Sequence, residues 1–186
     1  ITAAAHIHIG LQEILAREIS PMSELVITCG AFNAGDAGNA IPQSATMQGT
    51  IRVFDKKTEE LAKKRITEIA SGIAQTYRCA ATTTFGRPSP AVFNDKEFME
   101  QCVEYTKQTL PQAQLYGGAH GMGSEDFGSI SQACTANYMM IGAAAGPLNE
   151  CYGQHNPHVR FDENALPMSC ALYASVAMNW LDDNAK

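Results

Sequence analysis

The sequence predicts an α+β first half, an antiparallel sheet with helices over one face, followed by an α/β second half. Residues 45–53 alternate cleanly. Ala45, Met47, Gly49, Ile51 and Val53 take one face and Thr46, Gln48, Thr50 and Arg52 the other, the period-two signature of a strand with one buried side. Helical periodicity precedes and follows this strand, so helices packed on the apolar face of a sheet are the economical arrangement. Beyond GRPSPAVFND, residues 86–95, the pattern changes to a Gly-rich turn, an apolar run and a long closing helix. Two prolines and an Asn-Asp pair mark the boundary between the halves.

Each element follows in order. In ITAAAHIHIGLQEILAREIS, Ala3, Ile7, Leu11 and Ile14 recur at helical spacing and Pro21 stops the segment, predicting a helix over residues 1–20. His6 and His8 stand on different faces of it and read as a surface and a helix-edge histidine, not a metal pair. LVITCGAF is a β-rich run, and the loop NAGDAGNAIP joins it to the alternating strand, predicting an antiparallel pair. KKTEELAKKRITEIASGIAQTY supplies a helix with Ala62, Ile66, Ile69, Ile73 and Tyr77 inward, and RCAATTTFGRP returns as a third β-rich segment. Asp95 is placed to cap KEFMEQCVEYTKQTL, whose Phe98, Cys102 and Tyr105 share the inner face. GGAHGMGSEDFGSI is a Gly-rich turn opening onto a short helix, and NYMMIGAAAG reads as a buried strand. ENALPMSCALYASVAMNWL closes the chain as a helix with Leu166, Cys170, Tyr173, Ala177 and Trp180 inward.

Composition narrows the function. A chain of 186 residues with 45% apolar and 17% charged residues folds around a core. A net charge of −6 and no Lys/Arg-rich stripe argue against nucleic acid as a partner, because that affinity comes mostly from neutralising phosphates. No apolar run approaches the roughly 18 to 20 residues of a membrane span, so a soluble protein with no membrane partner is expected. Glu13, Arg17 and Glu18 interrupt the first apolar segment, which does not resemble a signal peptide; the start at Ile1, inside a helical pattern, reads as a piece of something longer. Six cysteines without a C-x-x-C pair read as reduced thiols and point to a cytoplasmic location. GGAHGMG lacks the preceding strand and following Lys of a phosphate-cradling loop.

Three motifs carry a resemblance. GNAIPQSATMQGTIRVFD, GSEDF and HNPHVRFDENALP occur in an order and spacing similar to the aminoacylase and carboxypeptidase family of dinuclear-metal amidohydrolases (peptidase family M20), nearest its hippurate and auxin-conjugate hydrolase branch. The resemblance implies an α+β lid domain, used for dimerisation, followed by an α/β segment of a zinc-exopeptidase-like catalytic domain. Residues 1–88 would be the lid without its first strand, and residues 89–186 the C-terminal part of the catalytic domain. The implied chemistry is metal-assisted amide hydrolysis of N-acyl amino acids or small peptides: two divalent ions (zinc, manganese or cobalt) polarise the carbonyl and activate a water, and a carboxylate base moves its proton.

The resemblance also assigns residues. His155, in the H-x-P element before the last helix, matches the family's final metal ligand, and an imidazole in a loop locked by Pro157 suits a borderline metal. His158 stands where the branch commonly carries Arg or Tyr, so it inherits no ligand role. Asn39 and Arg52 match lid residues that hold the substrate's carboxylate or carbonyl oxygen, a task to which a guanidinium fork is suited. Gly123, Ser124 and Glu125 match a substrate-side turn usually written Gly-Gly-Glu-Asp-Phe, with Glu125 or Asp126 also placed to cap the short helix. His120 has no counterpart and reads as a surface histidine.

The family's first metal motif, bridging carboxylate, catalytic Glu and further His have no match here; Glu59-Glu60 opens a charged helix face. The expectation is therefore a piece with no catalytic residue of its own, inactive alone and short of metal ligands, from a parent amidohydrolase that is a homodimer through the lid. The alternative is a non-catalytic dimerisation or small-molecule-binding module. The open reading frame separates them: His-x-Asp and Glu-Glu motifs encoded ahead of Ile1 are expected for the enzyme, whereas a gene starting at Ile1 favours the module.

Overall fold

The computed structural model describes residues 1–118 and 120–185. The chain forms two compact units, Ile1–Ala91 with Gly121–Glu125, and Val92–His120 with Asp126–Lys186. No helix among the described residues is long and apolar enough to cross a membrane.

In the first unit, helix α1 (Thr2–Gly10) is followed by a π-helical turn at Ile14–Glu18, strands β1 (Leu25–Asn33) and β2 (Thr46–Val53), and helix α2 (Lys56–Thr76). The single helix expected over residues 1–20 is thus broken after Gly10, where the wider π turn turns Ile14 fully inward. β1 and β2 pair antiparallel from Leu25↔Val53 to Asn33↔Thr46, with a bulge between Cys29 and Ala31. Met47, Ile51 and Val53 are half-buried and Thr46, Gln48, Thr50 and Arg52 exposed, as the alternation requires. Gly49 faces Cys29 beside the bulge, and a Cβ there would lie 2.1 Å from the Thr28 carbonyl oxygen. Only glycine lets the strands close at this point.

The core of this unit is small. Ile7, Ala70 and Ala74 are buried together, with Leu11, Met47, Ile73 and Ala81 packed against them. Alanines at 62, 70 and 74 flatten one face of α2, and Gly10 admits Ile73, whose Cδ1 would be 2.6 Å from a Cβ at that position. Ile66, Ile69 and Ile73 are half-buried as expected, while Tyr77, expected inward, lies at the helix end and stacks on His6 with ring centroids 5.1 Å apart. His8 is half-buried. Asp55 caps α2 by accepting from the Thr58 N–H at 2.8 Å. Arg65 on α2 holds the π turn through both Glu18 oxygens and also binds Glu68; the bonds from Arg65 to Glu18 keep the Glu18 carboxyl below its usual pKa.

The third strand is not formed. Residues 79–87 run without a ladder partner among the described residues, although Ala81 and Thr83 are half-buried, Thr82 and Thr84 exposed, and Thr83 Oγ1 lies 2.9 Å from Thr67 Oγ1. The sheet has two strands. Apolar alternation positions an extended segment, but only a neighbouring backbone makes it a strand.

In the second unit, α3 (Lys96–Thr109) packs along α5 (Ala165–Asn184), with the short α4 (Phe127–Ala133) between them in sequence. Asp95 caps α3 by accepting from the Phe98 N–H at 2.9 Å, and Cys102 and Tyr105 are buried as expected. Burial pushes the Cys102 thiol pKa up. NYMMIGAAAG is not a buried strand: Met140 is 76% exposed, and the one bridge here joins Ala144 to Phe161. Asp95 N–H donates to the Ala136 carbonyl, and the Asn94 amide binds both backbone groups of Tyr138. No backbone bond among the described residues holds 139–142.

The inward face of α5 also differs. Ala165 and Leu172 are buried, whereas Leu166 is 63% and Tyr173 83% exposed; Cys170 and Ala177 are exposed, and Trp180 meets the Phe98 ring edge-on at 6.3 Å. The helix is apolar nearly all round, so periodicity leaves two candidate stripes. Contacts that periodicity does not encode select one: Tyr105 Oη donates to Asp183 at 2.6 Å, and Thr109 Oγ1 meets Ser175 Oγ at 2.5 Å.

The bond to Asp183, followed by burial and the carboxylate's charge, pushes the Tyr105 pKa from 10.0 up to about 12. A folded pKa above the unfolded one means that this contribution is fully present below pH 10 and is lost as the pH rises through about 12. Urea midpoints of the wild type should fall over that window more steeply than those of Tyr105→Phe; parallel curves would remove the assignment.

Candidate functional site

Strand alternation sends Arg52 to the exposed face of β2, opposite Val26. Its Nη1 donates to the carbonyl of Met122. That contact brings Arg52 to Gly121–Glu125, a strap that packs with the first unit although the residues on either side of it belong to the second. The strap has a second tie, from Ser89 Oγ to the Glu125 carbonyl at 2.8 Å. Gly123 and Ser124 lie exposed between the two ties, and a Cβ on Gly123 would meet nothing within 4 Å. Glu125 is half-buried. Four of the sequence-predicted substrate residues, Arg52, Gly123, Ser124 and Glu125, are thus brought together.

Asn39 is not joined to them. It sits exposed in a turn closed by the Ala40 N–H on the Ala37 carbonyl, and no hydrogen bond among the described residues links it to Arg52 or the strap. Pro42 shapes its loop by packing on Gly35, which has φ +75°, whereas Ile41 is 96% exposed and packs on little. Asp126 occupies the N-cap position of α4 without the expected side-chain cap, because its φ of −75° and ψ of −20° are helical and not the extended values from which a cap reaches forward. His120 is exposed.

His155 belongs to the second unit. It lies in the turn closed by the Asn156 N–H on the Gly153 carbonyl, with φ +66°. A non-glycine residue in this left-handed region stores strain, and such positions concentrate at functional sites. Asn156 locks the following residues by accepting from the His158 N–H at its Oδ1 (2.9 Å) and from the Val159 N–H at its carbonyl (3.0 Å). The Ala144–Phe161 bridge and the Asp162 N–H on the Ala143 carbonyl anchor the loop before α5 begins. The imidazole is presented outward.

One donor does not make a metal site. Among the described residues no three His, Cys, Asp or Glu side chains gather as a metal would require, so these residues do not themselves fit a pair of ions. His158 instead lines a groove of about 460 Å³ with Glu150, Cys151, Tyr152, Pro157 and Arg160, its ring 5.4 Å from that of Tyr152. Sequence reading missed this groove, whose lining residues lie apart in the sequence at 145–152 and 157–160. It missed the ties at Met122 and Ser89 too, because a backbone carbonyl is the same in every residue.

The model of peptidase family M20/M25/M40 matches residues 1–179. An IAA-amino acid hydrolase, ILR1-like 2 of Arabidopsis thaliana, is 32% identical over 100% of this chain and 42% of its own length. The hippurate hydrolase of Campylobacter jejuni is 29% identical over 97% of this chain and 46% of its own. The crystal structure of Bacillus subtilis YXEP, described as a dinuclear metal binding peptidase, superposes with a TM-score of 0.79 at 26% identity over 98% of this chain and 46% of that one. A putative aminohydrolase from Staphylococcus aureus gives 0.78 at 27% identity, over 97% of this chain and 46% of that one. The chain therefore spans less than half the length of these relatives.

The backbone at His155 sets a test that needs no metal. His155→Val should lower stability by about 1 to 3 kcal/mol, because a β-branched residue resists positive φ, whereas His155→Gly should not lower it. Equal losses in denaturant unfolding of the two variants would rule out the left-handed turn.

Proposed function

The chain belongs to peptidase family M20/M25/M40, and from that premise we propose that it is the substrate-holding part of a metal-dependent amidohydrolase acting on N-acyl amino acids or small peptides. The observation that carries the reading is the bond from Arg52 to the Met122 carbonyl, across 70 residues of sequence, at the strap that holds Gly123, Ser124 and Glu125. A guanidinium beside exposed glycine and serine backbone suits a substrate with a carboxylate and an amide in one molecule. Asn39 adds a carbonyl or amide contact from its turn, and His155 supplies one metal ligand.

The remaining ligands and the proton-transfer base lie outside the described residues, so the chain alone is inactive in this reading. Zinc, manganese and cobalt all suit such a site. The parent pairs as a homodimer through the first unit, and six unpaired cysteines favour the cytoplasm. The extended backbone at 79–87, without a ladder partner among the described residues, favours a second reading, a non-catalytic dimerisation or small-molecule-binding module.

The chain supplied with zinc or manganese should not turn over a panel of N-acyl amino acids, yet should bind them about tenfold more tightly than their uncharged amides, a difference erased in Arg52→Gln. Turnover by the isolated chain would overturn its inactivity. Equal binding of acids and amides would overturn the role of Arg52.

A further inference from the structure

Arg52 has one hydrogen bond among the described residues, from Nη1 to the Met122 carbonyl, and a guanidinium presents five N–H groups in a flat fork. With Nη1 engaged, the Nε–Nη2 edge keeps the paired geometry that a carboxylate accepts bidentately. The Met122 carbonyl shares a peptide plane with the N–H of Gly123, and a trans peptide points the two in opposite directions. Holding that oxygen therefore fixes the direction of the Gly123 N–H, at a glycine whose own backbone has wide conformational freedom. The anchor for this hold is firm: Arg52 sits in register opposite Val26 in the β1–β2 ladder. The far end of the strap is fixed independently by Ser89.

We propose that Arg52 is a positioning residue as well as an anion contact: Nη1 fastens the 121–125 strap and orients the Gly123 N–H, while the Nε–Nη2 edge takes the ligand carboxylate. One side chain thus couples occupancy by an anionic N-acyl amino acid to order in the strap. The carboxylate half rests on the function proposed above; the fastening half rests on the contact with Met122 alone. Lysine does not replace it, because a single ammonium lacks the flat paired edge.

Amide hydrogen exchange of the full chain tests both halves. Arg52→Gln should speed exchange at 122–125 about tenfold while the β1–β2 ladder amides stay protected, and Arg52→Lys should restore only part of the protection. Ser89→Ala should loosen the strap from its Glu125 end. N-acetylglycine should slow strap exchange in the wild type but not in Arg52→Gln, and N-acetylglycinamide should have no effect in either. Unchanged strap exchange in Arg52→Gln, with the ladder intact, overturns the fastening. Faster strap exchange on adding N-acetylglycine overturns the coupling, since the carboxylate would then be competing for Nη1. Loosening in Arg52→Gln without any response to N-acetylglycine leaves the fastening in place and removes the substrate role.

Discussion

Extended backbone must find a hydrogen-bonding neighbour, and among the described residues two stretches form a ladder, interrupted at one bulge: β1 and β2. Their ladder gives the first unit its fixed surface. α1 and α2 lie on the half-buried side through alanines and Gly10, and Arg52 stands on the exposed side in a defined register. Gly49 is where the dependence is sharpest, because a methyl group there would collide with the Thr28 carbonyl and part the strands beside the bulge. The aim of Arg52, three residues on, depends on that closure.

The same constraint separates what could be read in the sequence from what could not. The alternation of β2, the caps Asp55 and Asp95, and the inner face of α3 are local and were legible, because each depends on residue type and spacing within one element. Residues 79–87 and 139–142 carry strand-like composition but have no ladder partner among the described residues, and partnering is not a local property. α5 failed for another reason. Its apolar residues surround the helix, so the choice of buried face fell to Asp183 and Ser175, polar residues that a hydrophobic pattern ignores. Of the candidate site, the residue identities came from motifs; the link between Arg52 and the strap is made through a main-chain oxygen and left no trace in the sequence.

The candidate residues are divided between the units. The first holds Arg52 and the exposed Gly123–Ser124 turn. The second holds a strained, outward histidine, His155, that belongs to no group of three metal donors among the described residues.

The outward stripe of α5, Leu166, Tyr173 and Leu181, has a consequence for how the chain behaves in bulk. Contiguous apolar surface draws copies together at short range. The net charge of −6 holds them apart at longer range, over a Debye length of about 10 Å in 0.1 M salt and about 3 Å in 1 M. Colloidal stability is thus a contest between one helix face and a modest negative charge. Dilute, low-ionic-strength solutions favour dispersion, and salting or acidification toward the isoelectric point near 5.3 favours association.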